Sequence, residues 1–142
     1  MTLWQDGDYQ ISTDKMRLDV TAIHDFLVNA YWSKGRSLDV VRQSVEHSLC
    51  FGLYHQRDQI GFGRVISDFS TFAYIADVYV LDQHRGHGLG KHLVTCITQH
   101  DQLQDLKRWL LVTTDAHGLY EPYGFSPLTA PERFMEKLTS QQ

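Results

Sequence analysis

The sequence predicts an α/β fold, α+β in its details, built on a mixed and mostly antiparallel sheet with helices on its faces. Three observations lead there. Two amphipathic helical stretches precede three consecutive strand-like runs. A glycine-rich loop follows the third run and opens another helix. A short apolar run follows that helix. Strands joined by tight turns run antiparallel, whereas a strand–helix–strand crossover puts its strands parallel and right-handed.

Taken in order, Tyr9 to Thr13 alternates weakly and reads as a first strand. Leu18, Ala22, Ile23, Phe26, Leu27, Ala30 and Tyr31 recur at helical spacing, and Gly35 breaks that helix. Ser37 is a natural N-cap for a second helix, in which Val40, Val41 and Val45 form a stripe. Leu49 to His55 and Ile60 to Ile66 flank the turn Gln56-Arg57-Asp58 as a hairpin, and Phe72 to Val80 is the third strand. The next helix runs from Leu89 to about His100, with Leu89, Leu93, Cys96 and Ile97 on one face. Trp109 to Thr114 reads as a strand and Gly118 to Gly124 as one or two helical turns closed by glycine. Phe125 and then Arg133 to Leu138 read as final strands.

The 142 residues read as a single domain over 1–142, with 42% hydrophobic and 21% charged residues, the composition of an ordinary globular chain. A net charge of -4 with no basic stripe argues against a nucleic-acid partner. No run approaches a membrane span, and the N-terminus lacks the basic and apolar regions of a signal peptide, so a cytoplasmic location is expected. The two cysteines, Cys50 and Cys96, do not make a disulfide framework and read as reduced core residues.

The chemistry concentrates in Gln83-His84-Arg85-Gly86-His87-Gly88-Leu89-Gly90. Glycine lets a backbone turn its N–H groups toward an anion, and a helix start adds free N–H groups and the positive end of its dipole. A phosphate-bearing ligand is therefore expected. A dinucleotide fingerprint fails because Lys91 stands where its third glycine belongs. A P-loop fails because Gly90-Lys91 is followed by His92, and Arg85 occupies its first glycine position. His84, His87, His92 and His100 lack the spacing and the cysteines of a zinc site, so no metal is expected.

Gln83-x-x-Gly86-x-Gly88 after a strand resembles the acetyl-CoA signature of the GNAT superfamily of N-acetyltransferases. Leu119-Tyr120-Glu121-Pro122-Tyr123-Gly124-Phe125 resembles that family's second signature, and the element order is similar too. The resemblance implies a sheet whose strands splay around acetyl-CoA, and direct transfer of acetyl to an amine in a ternary complex. It implies that the backbone of Val78, Tyr79 and Val80 meets the pantetheine arm. It further implies that Gln83, His84, Arg85, Gly86, His87, Gly88, Leu89, Gly90 and Lys91 bind the cofactor, with the backbone N–H groups of Arg85 through Gly90 cradling its pyrophosphate. The Val78 N–H would face the thioester oxygen, and Tyr120 would contact the cofactor and act as general acid. A neutral tyrosine can protonate a departing thiolate.

The family's glutamate on the strand before the loop is replaced here by Ala76. Asp77 is the nearest candidate base, with a structural role as the alternative, and His117 is a candidate proton relay or cap. Pro122 departs from an ordinary helix and shortens the Tyr120 segment. Tyr31, Trp32 and Arg36 are candidate acceptor contacts. A small-molecule amine is the expected partner. The alternatives are a protein amine, or a CoA-binding module without catalysis. A homodimer through Phe134 to Leu138 is a further expectation.

Overall fold

The computed structural model describes residues 1–139. Its strands are β1 (Thr2–Asp6), β2 (Tyr9–Ser12), β3 (Leu49–His55), β4 (Asp58–Ser67), β5 (Phe72–Val80) and β6 (Arg108–Leu111). They form one sheet in chain order, antiparallel from β1 to β5 and parallel between β5 and β6. The parallel pair is joined by α3 (Leu89–Thr98), as a crossover requires. The hairpin, the third strand and the crossover thus follow the sequence expectation closely.

Helices α1 (Val20–Leu27) and α2 (Leu38–Glu46) cover one face of the sheet. Ile23, Leu27, Val41 and Val45 pack there with Cys50, Phe62 and Tyr79. The other face carries α3 and the short α4 (His117–Tyr120), with Leu89, Leu93, Val94, Ile97 and Tyr120 packed on Ile11, Phe51, Leu53, Val65 and Ile75. Caps set the helix starts: Asp19 accepts from the Ala22 N–H and Ser37 from the Val40 N–H.

Three expectations are corrected. The segment before the first expected strand pairs as β1, turning at Gly7 with φ +58°. The first helix ends at Leu27 rather than Tyr31, and a run of turns closes with the Gly35 N–H on the Val28 carbonyl. Ser33 Oγ donates to the Leu27 carbonyl at 2.7 Å, which satisfies an orphan carbonyl of that helix end. The expected final strands do not form. Phe125 lies outside any strand, Pro131–Arg133 is a single 3-10 turn, and 134–139 carries no regular structure. Pro127 and Pro131 withhold ladder donors. Phe134, Met135 and Leu138 do not alternate at period two, and Met135 and Leu138 stay exposed. The strand proposed for pairing with a second copy is therefore absent from the described residues.

A bulge in β5 positions the site. Phe62 lies opposite Tyr79 and Arg64 opposite Ala76, so Asp77 and Val78 together face Gly63. Asp77 has φ +57°. The extra residue shifts the pleat: Ala73 and Ile75 pack with α3, whereas beyond the bulge Val78 and Val80 do so and Tyr79 joins the α1–α2 side.

Candidate active site

Pairing between β5 and β6 ends at Ile75–Leu111, while β5 continues to Val80. Beyond that pair, the β6 side of β5 has no strand partner among the described residues. This is the splay that the resemblance implies. The gap opens beside the glycine loop at the end of β5.

The loop begins with a 3-10 turn, Asp82–His84, and reaches α3 through Gly86 (φ +88°) and Gly88 (φ +71°). A side chain at either glycine would meet no atom within 4 Å, so backbone conformation rather than crowding selects glycine there. The open space above these positions is where an anion would lie. Gly88 caps α3 without a side-chain acceptor, and the first capping bond runs from the His92 N–H to the Gly88 carbonyl. The N–H groups of Leu89, Gly90 and Lys91 precede that bond and lack intrahelical acceptors. These features fit a pyrophosphate.

Side chains around the loop are mostly exposed. Arg85 pairs with Asp82 at 3.1 Å and donates from Nε to the Val80 carbonyl at 3.3 Å. Tyr9 Oη lies 3.2 Å from His84 Nδ1, which ties the loop to β2. His87 also faces the Tyr9 ring, at 6.0 Å between centroids. Gln83 and Lys91 are exposed. The Tyr79 ring faces away from the splay and stacks on Phe26 at 3.8 Å, so only its backbone is available there.

On the other side of the splay, a cavity of about 350 Å³ is lined by Tyr31, Trp32, Arg36, Asp77, Val78 and Tyr120, among others. The structure thus brings the candidate acceptor contacts and the candidate catalytic groups to one place. Tyr120 is buried and meets the Phe125 ring edge-on. Burial, with a smaller contribution from Tyr31, pushes its hydroxyl up to about 12, so it holds its proton at neutral pH. Pro122 sits in the turn Glu121–Tyr123 that follows α4, and Gly124 closes that turn at φ +94°. Tyr123 fixes the turn by donating to the Lys91 carbonyl at 2.9 Å and lying 2.7 Å from Thr95 Oγ1.

Asp77 is held from three sides. Oδ1 accepts from Trp32 Nε1 at 2.9 Å. Oδ2 accepts from Arg36 Nη1 at 2.9 Å and from Arg64 Nε at 2.8 Å. Arg64 Nη1 also donates to Ser48 Oγ at 3.2 Å. The side chains of Arg36, Arg64 and Asp77 are 12%, 11% and 2% exposed, so the cluster is a buried one. It ties the α1–α2 connection to β4 and β5.

Sequence reasoning missed Arg64, Tyr74 and Asp115, all on the cavity wall. Arg64 carried a usable signal. It is the one charged residue between the ends of β4, and a cation in a covered strand needs a nearby carboxylate. Asp77 supplies one on the adjacent strand. His117, the candidate relay, is exposed at the start of α4. Burial raises both Cys50 and Cys96 to about 11, leaving them as thiols at neutral pH.

Known proteins share this fold. The family model described as an acetyltransferase (GNAT) domain matches residues 46–127. A protein of Gibberella zeae, named as a candidate acetyltransferase, is 33% identical over 138 residues, covering 82% of this chain and 78% of its own. The crystal structure of a candidate GNAT-family acetyltransferase from Xanthomonas campestris pv. campestris superposes with a TM-score of 0.90 at 45% identity, covering 92% of this chain and 93% of that one. A GNAT family acetyltransferase from Elizabethkingia anophelis, solved with acetyl-CoA bound, shares the fold at a TM-score of 0.66 and 15% identity, covering 95% of this chain and 90% of that one.

Proposed function

The chain belongs to the GNAT acetyltransferase family, and from that premise we propose that it moves acetyl from acetyl-CoA directly to the primary amine of a small molecule. The observation that carries this reading is the shared cavity: Val78, Tyr120 and the acceptor-side residues line one space where β5 leaves β6. Acetyl-CoA supplies an activated carbonyl whose leaving group is a thiolate.

The chain's own groups then act in sequence. The backbone from Arg85 to Lys91 holds the pyrophosphate, and the freed edge of β5 at Val78, Tyr79 and Val80 aligns the pantetheine arm. The Val78 N–H donates to the carbonyl oxygen as negative charge develops there, the kind of preorganised contact that lowers such barriers most. The neutral amine nitrogen bonds to the carbonyl carbon, and the carbon–sulfur bond breaks. The Tyr120 hydroxyl gives its proton to the departing sulfur, and the amine proton released on acylation restores the balance.

Asp77 serves here as an anchor rather than a base. Both of its oxygens already accept hydrogen bonds, two of them from guanidinium groups, so the carboxylate is engaged in holding the Trp32–Arg36 segment against β4 and β5. The thiols at about 11 support direct transfer over a cysteine-bound acetyl group. The small cavity supports a small acceptor over the side chain of a folded protein.

Calorimetric titration with acetyl-CoA, followed by CoA release in the presence of an amine panel, tests the proposal. Binding near one site per chain with amine-dependent CoA release is expected. Binding without turnover of any small or protein amine would make the chain a CoA sensor. No binding would remove the transferase reading altogether.

A further inference from the structure

The aromatic side chains around the acceptor cavity point to a class of acceptor, and this inference rests on the acetyl-transfer reading above. Four of them line the cavity: Tyr31 and Trp32 from the α1–α2 connection, Tyr74 from β5 and Tyr120 from α4. Tyr31 and Trp32 meet edge-on, with 5.1 Å between ring centroids. They are 60% and 38% exposed, so the pair keeps apolar surface in water at the mouth of the cavity.

Both rings of the pair are fixed. Trp32 donates from Nε1 to Asp77, and its ring lies 6.2 Å from that of Phe26 on α1. The Tyr31 hydroxyl accepts from the Thr114 N–H at 3.4 Å, across to the connection between β6 and α4. Rings held this way present a preformed surface, with little ordering left to do when a ligand arrives. On β5, Ala76 follows Tyr74 on the same face and adds a methyl group to the wall.

Charge sets a second constraint. Asp77 already accepts from Trp32, Arg36 and Arg64. An acceptor carboxylate would have to compete with Asp77 for those guanidiniums. Asp115 is the other acidic residue on the wall; it is exposed and forms no ion pair among the described residues. It can attract one ammonium from solvent, and a second ammonium would find no carboxylate of its own.

We infer that the acceptor is a primary amine carried on an aromatic body, with no second charge. Tyr31, Trp32 and Tyr74 receive the ring, and Asp115 attracts the ammonium before it gives up a proton to solvent. The neutral nitrogen then bonds to the thioester carbon and the carbon–sulfur bond breaks. CoA leaves as the thiol with the Tyr120 proton, which the amine proton replaces.

The test measures acetyl transfer at saturating acetyl-CoA to 2-phenylethylamine, tyramine and tryptamine. Three further probes isolate the features that matter: 2-cyclohexylethylamine loses only the aromaticity, L-phenylalanine adds a carboxylate, and spermidine adds ammonium groups. Rates are compared per neutral amine, so that basicity drops out. The expected kcat/KM for 2-phenylethylamine is at least about threefold above 2-cyclohexylethylamine. It should also stand at least about tenfold above L-phenylalanine and spermidine. A smaller ratio in any of these comparisons, with acetyl-CoA still bound, overturns the acceptor class and leaves the transferase reading intact. Failure to bind acetyl-CoA overturns the transferase reading, and this inference with it. If acetyl-CoA binds but no probe is turned over, titration of the same amines into the CoA-loaded protein decides. Tighter binding of 2-phenylethylamine than of 2-cyclohexylethylamine would support the inference, and any other result overturns it.

Tyr31→Ala removes the more exposed ring of the pair and should bring the phenyl-to-cyclohexyl ratio toward one. A merely structural loss would lower both arms and leave that ratio unchanged. Tyr31→Phe keeps the ring without the Thr114 contact and should retain the preference. Tyr74→Leu makes the same test from β5 if the alanine variant does not fold. A ratio unmoved in folded Tyr31→Ala or Tyr74→Leu protein would overturn the assignment of the rings.

Discussion

The two sides of the splayed strands are built from different materials. The glycine loop is one continuous stretch whose backbone N–H groups are the proposed anion contacts, and its side chains are largely exposed. The facing cavity wall carries Trp32 and Arg36 from the α1–α2 connection, Arg64 from β4 and Asp77 from β5, which meet through part-buried hydrogen bonds, with Ser48 behind Arg64. A backbone site depends on φ angles and tolerates changes of neighbouring side chains. A buried charge cluster is more exacting, because removing Asp77 takes the carboxylate away from Arg64 in a poorly solvated place. Tyr120 stands where the two meet, and variants there and on each side should separate them.

The largest effect is expected at Tyr120. Tyr120→Phe keeps the ring against Phe125 and loses only the proton donor, so kcat should fall by about 10²–10⁴-fold while acetyl-CoA affinity changes little. Steady-state kinetics with calorimetry on the same protein measures both. The pH profile adds a second check. With the hydroxyl pushed up to about 12, Tyr120 stays protonated through the working range. Activity should therefore rise with pH as the acceptor amine loses its proton, with no descending limb from Tyr120 below about pH 11. A fall near pH 9 or 10 in a protein that is still folded would assign the acid to some other group.

Asp77→Ala comes next and tests the buried side. Arg64 would be left nearly covered without its carboxylate, and loss of one partner from such a pair costs about 3–5 kcal/mol. Urea unfolding should show that loss together with loosening of the Trp32 segment. A cost below about 1 kcal/mol, the range of exposed ion pairs, would mean that the cluster is solvated and the contrast between the two sides is wrong.

Gly88→Ala applies the same question to the loop. The position holds φ +71° with open space around it, so the cost is conformational, about 1–2 kcal/mol. It should fall on acetyl-CoA binding as well as on stability, since the loop must relax away from the conformation that aims its N–H groups. Unchanged affinity for acetyl-CoA, measured by calorimetry, would move the pyrophosphate elsewhere.

This contrast also explains what could be read in advance. The hairpin, β5 and the glycine loop were legible because their signals are local: Leu49 to His55 and Phe72 to Val80 appear with the boundaries read from sequence. Tyr31, Trp32 and Arg36 were legible as one group of candidate acceptor contacts, and the structure puts them on one cavity wall with Tyr120. The partnership of Asp77 with Arg64 was hidden, because it depends on a bulge that pairs Arg64 with Ala76 and turns Asp77 toward the α1–α2 side. No window of sequence shows a register shift between two strands. The C-terminal strands failed for the opposite reason. Phe134, Met135 and Leu138 looked sufficient, although Met135 falls on the opposite face from the other two and Glu136 takes the position between them.

The smallest and sharpest test is Gly90→Ala. Unlike Gly86 and Gly88, Gly90 lies within α3 and has no positive φ. A methyl there would meet only Leu119, at an ordinary 3.8 Å. Considered alone, the protein gains from alanine, because glycine inside a helix costs roughly 0.5–1 kcal/mol. On the proposed reading, glycine here leaves room for the pyrophosphate to approach the helix start. Gly90→Ala should raise the urea midpoint slightly and weaken acetyl-CoA binding at the same time. A stabilised protein with undiminished affinity would show that the ligand keeps clear of Gly90, and would shift the anion contact toward Gly86 and Gly88 at the front of the loop.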